Sequence, residues 1–174
     1  MPMGPKLRAE PLARPFHVVL VEPEIPPNTG AVARTCAATA SVLHLVGELG
    51  FSIDERAVRR AGLDYWHLVD LRTHTDVDAF TRAEPKARLH LFTSSAPRSH
   101  LEADFRPGDA LVFGRESVGL DATTLSRADA QCWAIPTLGG VRSLNLATSV
   151  SIVVYEALRR VGALDHTFRE PGAA

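Results

Sequence analysis

Three short stretches of this chain combine glycine with cationic, hydroxyl or carboxamide side chains at spacings suited to chemistry on a polar ligand. The first is Asn28-Thr29-Gly30 with Arg34. On a helix, positions 30 and 34 share a face, so the glycine leaves space beside the arginine stem. The second is Phe113-Gly114-Arg115-Glu116 with Gly119. A glycine ending a buried strand lets a ligand approach the backbone, and Glu116 then stands near the carboxyl ends of the strands, where α/β proteins bind ligands. The third is Gly139-Gly140-Val141-Arg142-Ser143-Leu144-Asn145, placed just before a long apolar segment. Ser143 or Asn145 can cap a helix there, but a cap needs one such residue and this loop holds several. Loops of this kind leaving neighbouring strands can wall a deep pocket with backbone amides. Neither a GxGxxG fingerprint nor a GxxxxGK phosphate loop is present, which argues against a nucleotide-binding oxidoreductase.

The elements that must position these loops follow from hydrophobic pattern and turn residues. FHVVLVE (16–22), SVLHLVG (41–47), HLVDL (67–71), RLHLFT (88–93), DALVFG (109–114) and QCWAIP (131–136) read as six short buried strands. Three prolines in EPEIPPN (22–28) argue against helix in that segment. Asn28 is then the expected N-cap of a helix through TGAVARTCAATA. Asp54 and Gly62 bracket a second helix, VDAFTRA is a third and DATTLSRA (121–128) a fourth. The last helix, 145–162, carries Leu146, Val150, Val153, Val154, Ala157, Leu158 and Val161 on one face, with Ile152 and Tyr155 off that stripe. A helix apolar on more than one side is buried on more than one side, and in a domain this small the second cover is a partner subunit. Alternation of strands and helices gives an α/β fold with a mostly parallel sheet and helices on both faces; periodicity does not order the strands.

Composition sets the bounds. A chain of 174 residues holds one compact domain, and 45% hydrophobic with 22% charged residues is ordinary for a globular protein. The net charge of -1 means that a polyanion would have to meet a local cluster of cations. Cys36 and Cys132 read as buried thiols, and neither they nor the seven histidines show metal-ligand spacing, so no metal is expected. No secretory signal or membrane span is visible, and low cysteine use fits a cytoplasmic protein. Residues 1–14 read as a flexible arm, 15–164 as a single domain and 165–174 as a tail.

Together, VLVEPEIPPNTGAVART, RRAGLDYWHL, FGRESVGL and RSLNLATSVSIVVYEA resemble the SPOUT superfamily of methyltransferases, in its TrmH-like ribose-methylating branch. The likeness runs from about Phe16 to Gly162 and is greatest to the short members that methylate the wobble ribose of tRNA. It implies a C-terminal deep trefoil knot, which no periodicity suggests, and a homodimer with active sites near the subunit interface. It implies S-adenosyl-L-methionine held by three loops: Phe92, Thr93 and Ser94; Gly114, Arg115 and Glu116; Ile135, Thr137 and Leu138. Ser143, Leu144 and Asn145 would close the pocket. Arg34 resembles the arginine placed beside the ribose hydroxyl; Asn28, Glu116, Ser143 and Asn145 match the polar residues around it, and Tyr155 a tyrosine near the dimer contact. In TLGGV, glycines replace bulkier or charged residues of some relatives.

The implied reaction is methylation of the 2'-hydroxyl of nucleotide 34 in the anticodon loop of tRNA, with leucine tRNAs the expected substrates. A ribose hydroxyl is a weak nucleophile, so the site must align the reacting atoms and stabilise the oxygen as it loses its proton. Arg34 can hydrogen-bond the developing alkoxide, but a guanidinium is a poor general base. An RNA phosphate or water can take the proton. Glu116 can pair with Arg34 or position the donor's amino group. Arg56, Arg59, Arg60, Arg115 and Arg142 can form a cationic patch for RNA phosphates, or the first three simply a solvated helix face. The alternatives are another tRNA position, ribosomal RNA, or a non-catalytic knotted RNA-binding module, for which broken motifs would be expected.

Overall fold

A computed structural model describes residues 5–53 and 65–170. Among them six strands form one fully parallel sheet: β2 (His17–Val21), β3 (Val42–Val46), β4 (Leu71–His74), β5 (Leu89–Phe92), β6 (Ala110–Phe113) and β7 (Ala130–Trp133). Their spatial order is β4-β3-β2-β6-β5-β7. All their carboxyl ends therefore face one side of the molecule. Short strands β1 (Lys6–Ala9) and β8 (Thr167–Glu170) pair antiparallel, Lys6 opposite Glu170, in a separate exposed ribbon. The terminal segments expected as arm and tail thus meet each other.

Helices cover both faces. Alternation along β2 sends Val18 and Leu20 to the face packed by α1 (Pro26–Thr39) and α4 (Leu146–Arg160), and Val19 and Val21 to the opposite face. On that second face Phe80 of α2 (Val77–Ala83) plugs the smaller core, near the one-turn helix α3 (Ala122–Leu125). Asp76 and Asp121 cap α2 and α3 by accepting from Ala79 N (2.7 Å) and Thr124 N (2.6 Å). Leu146, Val150, Val153, Val154, Ala157 and Leu158 of α4 are buried as their spacing requires, Val161 is half-buried, and Ile152 and Tyr155 stay exposed. Cys36 is fully buried, and burial pushes its thiol up to about 12, out of reactive range; Cys132 is half-buried.

Two local expectations are corrected. The third strand is not at 67–71: Trp66–Leu68 forms a 3-10 turn closed by Leu68 N to Tyr65 O, 2.9 Å, and the strand follows at Leu71–His74. β4 is one of the two edge strands, so it carries Arg72 and lacks an apolar run, while the more apolar turn packs Trp66 and Val69 on the main core. Helix α1 starts at Pro26, not after Asn28. Prolines in a first helical turn lack only N–H groups that would have no intrahelical partner, so Pro26 and Pro27 start the helix instead of blocking it. The helix expected from Asp54 lies outside the described residues.

Candidate active site

Loops following β5, β6 and β7, with the amino ends of α1 and α4, enclose a cleft of about 700 Å³. Its floor includes Phe92 and Phe113, the last residues of adjacent strands, whose rings stack at 4.9 Å. The turn after β6 closes on itself: Gly119 N donates to Arg115 O at 2.9 Å and Arg115 N to Gly119 O at 3.2 Å. A Cβ on Gly114 would stand 2.1 Å from the Gly119 carbonyl carbon and 2.2 Å from Leu120 N. Gly114 lines the cleft, but the room its missing side chain leaves is taken by the chain's own backbone, not kept for a ligand. That corrects the reason the sequence suggested. Gly119, at φ +74°, supplies the left-handed turn.

Glu116 holds the entrance of α1. Ile25, at the N-cap position, offers no capping side chain. The Glu116 carboxylate accepts instead from Glu24 N (2.8 Å), Ile25 N (3.1 Å) and Asn28 Nδ2 (3.1 Å). A carboxylate there satisfies orphan N–H groups and complements the helix dipole. Asn28 Oδ1 accepts from Asn145 Nδ2 (3.0 Å), and Asn145 Oδ1 caps α4 by accepting from Ala147 N (2.9 Å) and Thr148 N (3.3 Å). Both amide orientations are dictated by their neighbours, since a carboxylate only accepts and backbone N–H only donates. One hydrogen-bonded chain thus joins the β6 loop to both helix termini. Glu116 is thus tied to the entrance of α1 and, among the described residues, makes no ion pair with Arg34.

Sequence reading missed the partners that brace this loop. Arg115 forms an ion pair with Glu22, and Glu24 accepts from Ser117 N (3.0 Å) and Ser117 Oγ (2.9 Å). Those bonds hold the Glu24 carboxyl below its ordinary range. The signal was the alternation of Glu22 and Glu24 around Pro23, which puts two carboxylates on one edge of a turn; nothing local says what they face.

Of the residues expected to touch cofactor, Phe92, Thr93, Ser94, Gly114, Arg115, Glu116, Ile135, Thr137, Ser143, Leu144 and Asn145 all line the cleft; Leu138 does not and is fully exposed. Asn28 and Arg142 also line it. Arg34 stands apart, exposed on α1, its guanidinium 4.5 Å from the ring centroid of Tyr65. Arg56, Arg59 and Arg60 lie outside the described residues.

Away from the cleft, the sheet brings histidines together that sequence spacing left unpaired. His44 Nε2 meets His17 Nδ1 at 2.9 Å, and His44 Nδ1 meets His74 Nε2 at 2.8 Å, with Phe80 edge-on to all three rings. His17, His44 and Glu84 crowd within 4.8 Å. His17 turns Nδ1 to His44 and Nε2 toward Glu84, 3.8 Å away, so the three rings and the carboxylate form one file.

The chain matches the SpoU rRNA Methylase family over residues 15–155. It belongs to that family. The tRNA (cytidine(34)-2'-O)-methyltransferase of Burkholderia pseudomallei is 48% identical over 150 residues, covering 84% of this chain and 96% of the relative. A solved structure described as giving structural insights into the 2-OH methylation of C/U34 on tRNA superposes with a TM-score of 0.79 at 48% identity, covering 84% of this chain and 96% of that one. An AdoMet-bound rRNA methyltransferase from Sinorhizobium meliloti superposes at 0.74 with 25% identity, covering 87% and 61%.

Proposed function

We propose that this SpoU-family chain transfers a methyl group from S-adenosyl-L-methionine to the ribose 2'-hydroxyl of nucleotide 34 in the anticodon loop of tRNA, with leucine tRNAs as substrates. The observation that carries the reading is 48% identity to a tRNA (cytidine(34)-2'-O)-methyltransferase across 96% of that relative's length. The cleft suits the donor. Its volume of about 700 Å³ is ample, and its floor is aromatic. The Glu116 carboxylate at its wall is bonded only by neutral N–H groups, so its negative charge favours a cationic ligand. Thr93, Ser94, Gly114, Ile135, Thr137 and Leu144 would hold it. When bound, S-adenosylmethionine supplies a methyl group on a positively charged sulfur.

The protein's own part is alignment and electrostatics. Arg34 hydrogen-bonds the hydroxyl and stabilises the alkoxide as it develops; an RNA phosphate or water takes the proton. Ser143 and the Asn28–Asn145 pair present polar groups at the cleft wall. Arg142, which lines the same cleft, binds RNA phosphate.

A homodimer and a knotted C-terminal half belong to the same reading. Arg34 sits outside the cleft of its own chain, and α4 leaves Ile152 and Tyr155 exposed, 37% and 48%, as a face for a second copy. No described helix is long and apolar enough to cross a membrane, and the reading places the protein in the cytoplasm with its substrate.

The test is methyl transfer from labelled S-adenosylmethionine to unmodified leucine tRNA transcripts, with the product nucleotide mapped by digestion and mass spectrometry. A 2'-O-methyl group at position 34 is expected. Transfer only to other RNA in a total preparation would keep the chemistry and remove the wobble assignment.

A further inference from the structure

We propose that Tyr65 is a positioning residue for Arg34: its ring is the platform that sets the plane of the guanidinium while leaving every N–H free for the RNA. The inference rests on the methyl-transfer reading above. Among the described residues the guanidinium makes no hydrogen bond or ion pair; it lies over Tyr65 at 4.5 Å. An arginine side chain on an exposed helix face has many rotamers, and fixing one is costly in entropy. A carboxylate partner would fix it but would occupy the donors and cancel the charge. A ring face does neither. It attracts the cation through its quadrupole and leaves five N–H donors pointing outward, which is the state needed to meet an oxygen gaining negative charge.

Tyr65 is itself held by the turn it begins. Its carbonyl accepts from Leu68 N at 2.9 Å, closing the 3-10 turn, and the neighbouring Trp66 packs on the core that α1 also joins. The platform is therefore tied to the same body as the helix that carries Arg34. The other face of the ring is partly open, with 37% of the residue exposed. The hydroxyl has no part in this role.

The experiment compares wild type, Tyr65→Phe and Tyr65→Leu in steady-state methyl transfer to tRNA, with S-adenosylmethionine affinity and thermal midpoint measured on each. A cation–π contact stabilises by roughly 0.5–2 kcal/mol, which corresponds to a loss of roughly 2–30-fold. Once RNA excludes water from the pair, the upper part of that range applies. Tyr65→Leu is expected to lose about tenfold in kcat with KM for tRNA, cofactor affinity and thermal midpoint little changed. Tyr65→Phe is expected to restore kcat to within about twofold of wild type. Full kcat in Tyr65→Leu would overturn the inference, as would an equal loss in Tyr65→Phe, which would place the effect in the hydroxyl. Absence of transfer to any RNA by wild type would instead remove the underlying reading, and the inference with it.

Discussion

A Cβ at Gly114 would sit 2.1 Å from backbone, and no flexible side chain lies there to give way. Gly114→Ala must therefore open the 115–119 turn, which carries Glu116 and with it the entrance to α1. The expected cost is about 3 kcal/mol, the upper end of overpacking, with cofactor affinity falling alongside stability. Chemical denaturation and cofactor titration of this variant check it; wild-type stability would contradict the assignment. Arg34 behaves oppositely. It lies outside the cleft, so Arg34→Ala should leave cofactor affinity unchanged while kcat drops by about 10²–10³-fold, the scale of one lost transition-state donor. Cofactor binding lost in proportion to activity would refute that role. Glycine and arginine stand out equally in the sequence, yet one serves the fold and the other is free for chemistry. Only their surroundings separate them.

The strands β2, β3 and β4 present His17, His44 and His74 as a file on one face of the sheet. Proton counting orients it. If His17 Nε2 donates toward Glu84, His17 Nδ1 accepts from His44, and His44 Nδ1 accepts from His74, so neutral rings satisfy every contact. Burial pushes His44 down to about 3, and its two histidine neighbours add to that. Burial also lowers His17 and His74, with Glu84 opposing and Arg72 reinforcing the shift in each case. Groups depressed in the folded state bind protons first in the unfolded chain. Stability is therefore intact above the unfolded value near 6.5 and falls as pH drops toward the folded values, at up to about 1.4 kcal/mol per pH unit for each histidine. The urea midpoint should decline between pH 7 and pH 5, and His44→Gln should flatten the decline. A level wild-type profile over that range would exclude it. A second polar pair is built differently. Trp133 Nε1 donates to His90 Nδ1 at 2.9 Å, so Nε2 carries the proton and donates to Asp109 at 3.0 Å. Burial alone would raise Asp109, but His90, Arg88 and Arg106 N together hold it at about 2.

At the scale of the molecule, the matched family span ends at Tyr155, before α4 is complete, and the β1–β8 ribbon lies beyond it at both ends. The homodimer proposed above would use the exposed face of α4 that carries Ile152 and Tyr155. Ile152→Asp places a charge on that face without touching the buried stripe, so the protein should become monomeric by sedimentation and lose methyl transfer while keeping its folded circular-dichroism spectrum, with a thermal midpoint that no longer depends on protein concentration. A wild-type protein that sediments as a monomer, or a variant that remains a dimer, would remove the proposed arrangement.

Family resemblance pointed to most residues lining the cleft, while the sequence's own patterns determined five of the six strands of the parallel sheet to within a few residues, the buried stripe of α4 and its capping by Ser143 or Asn145. These are local properties: strand and helix periods, cap chemistry and glycine at turns act over a few neighbours and are readable from them. It misplaced β4 and the start of α1 because an edge strand needs no apolar run and a proline in a first turn costs no hydrogen bond. Strand order, the bracing of Arg115 by Glu22, the joining of Glu116, Asn28 and Asn145, the histidine file, and the seating of Arg34 on Tyr65 were decided only by the tertiary structure. Glu116 and Asn28 are 88 residues apart, and Asn28 and Asn145 are 117 apart. No pattern in a linear chain encodes a pairing over such separations; it exists because parallel strands carry all their loops to one end of the sheet.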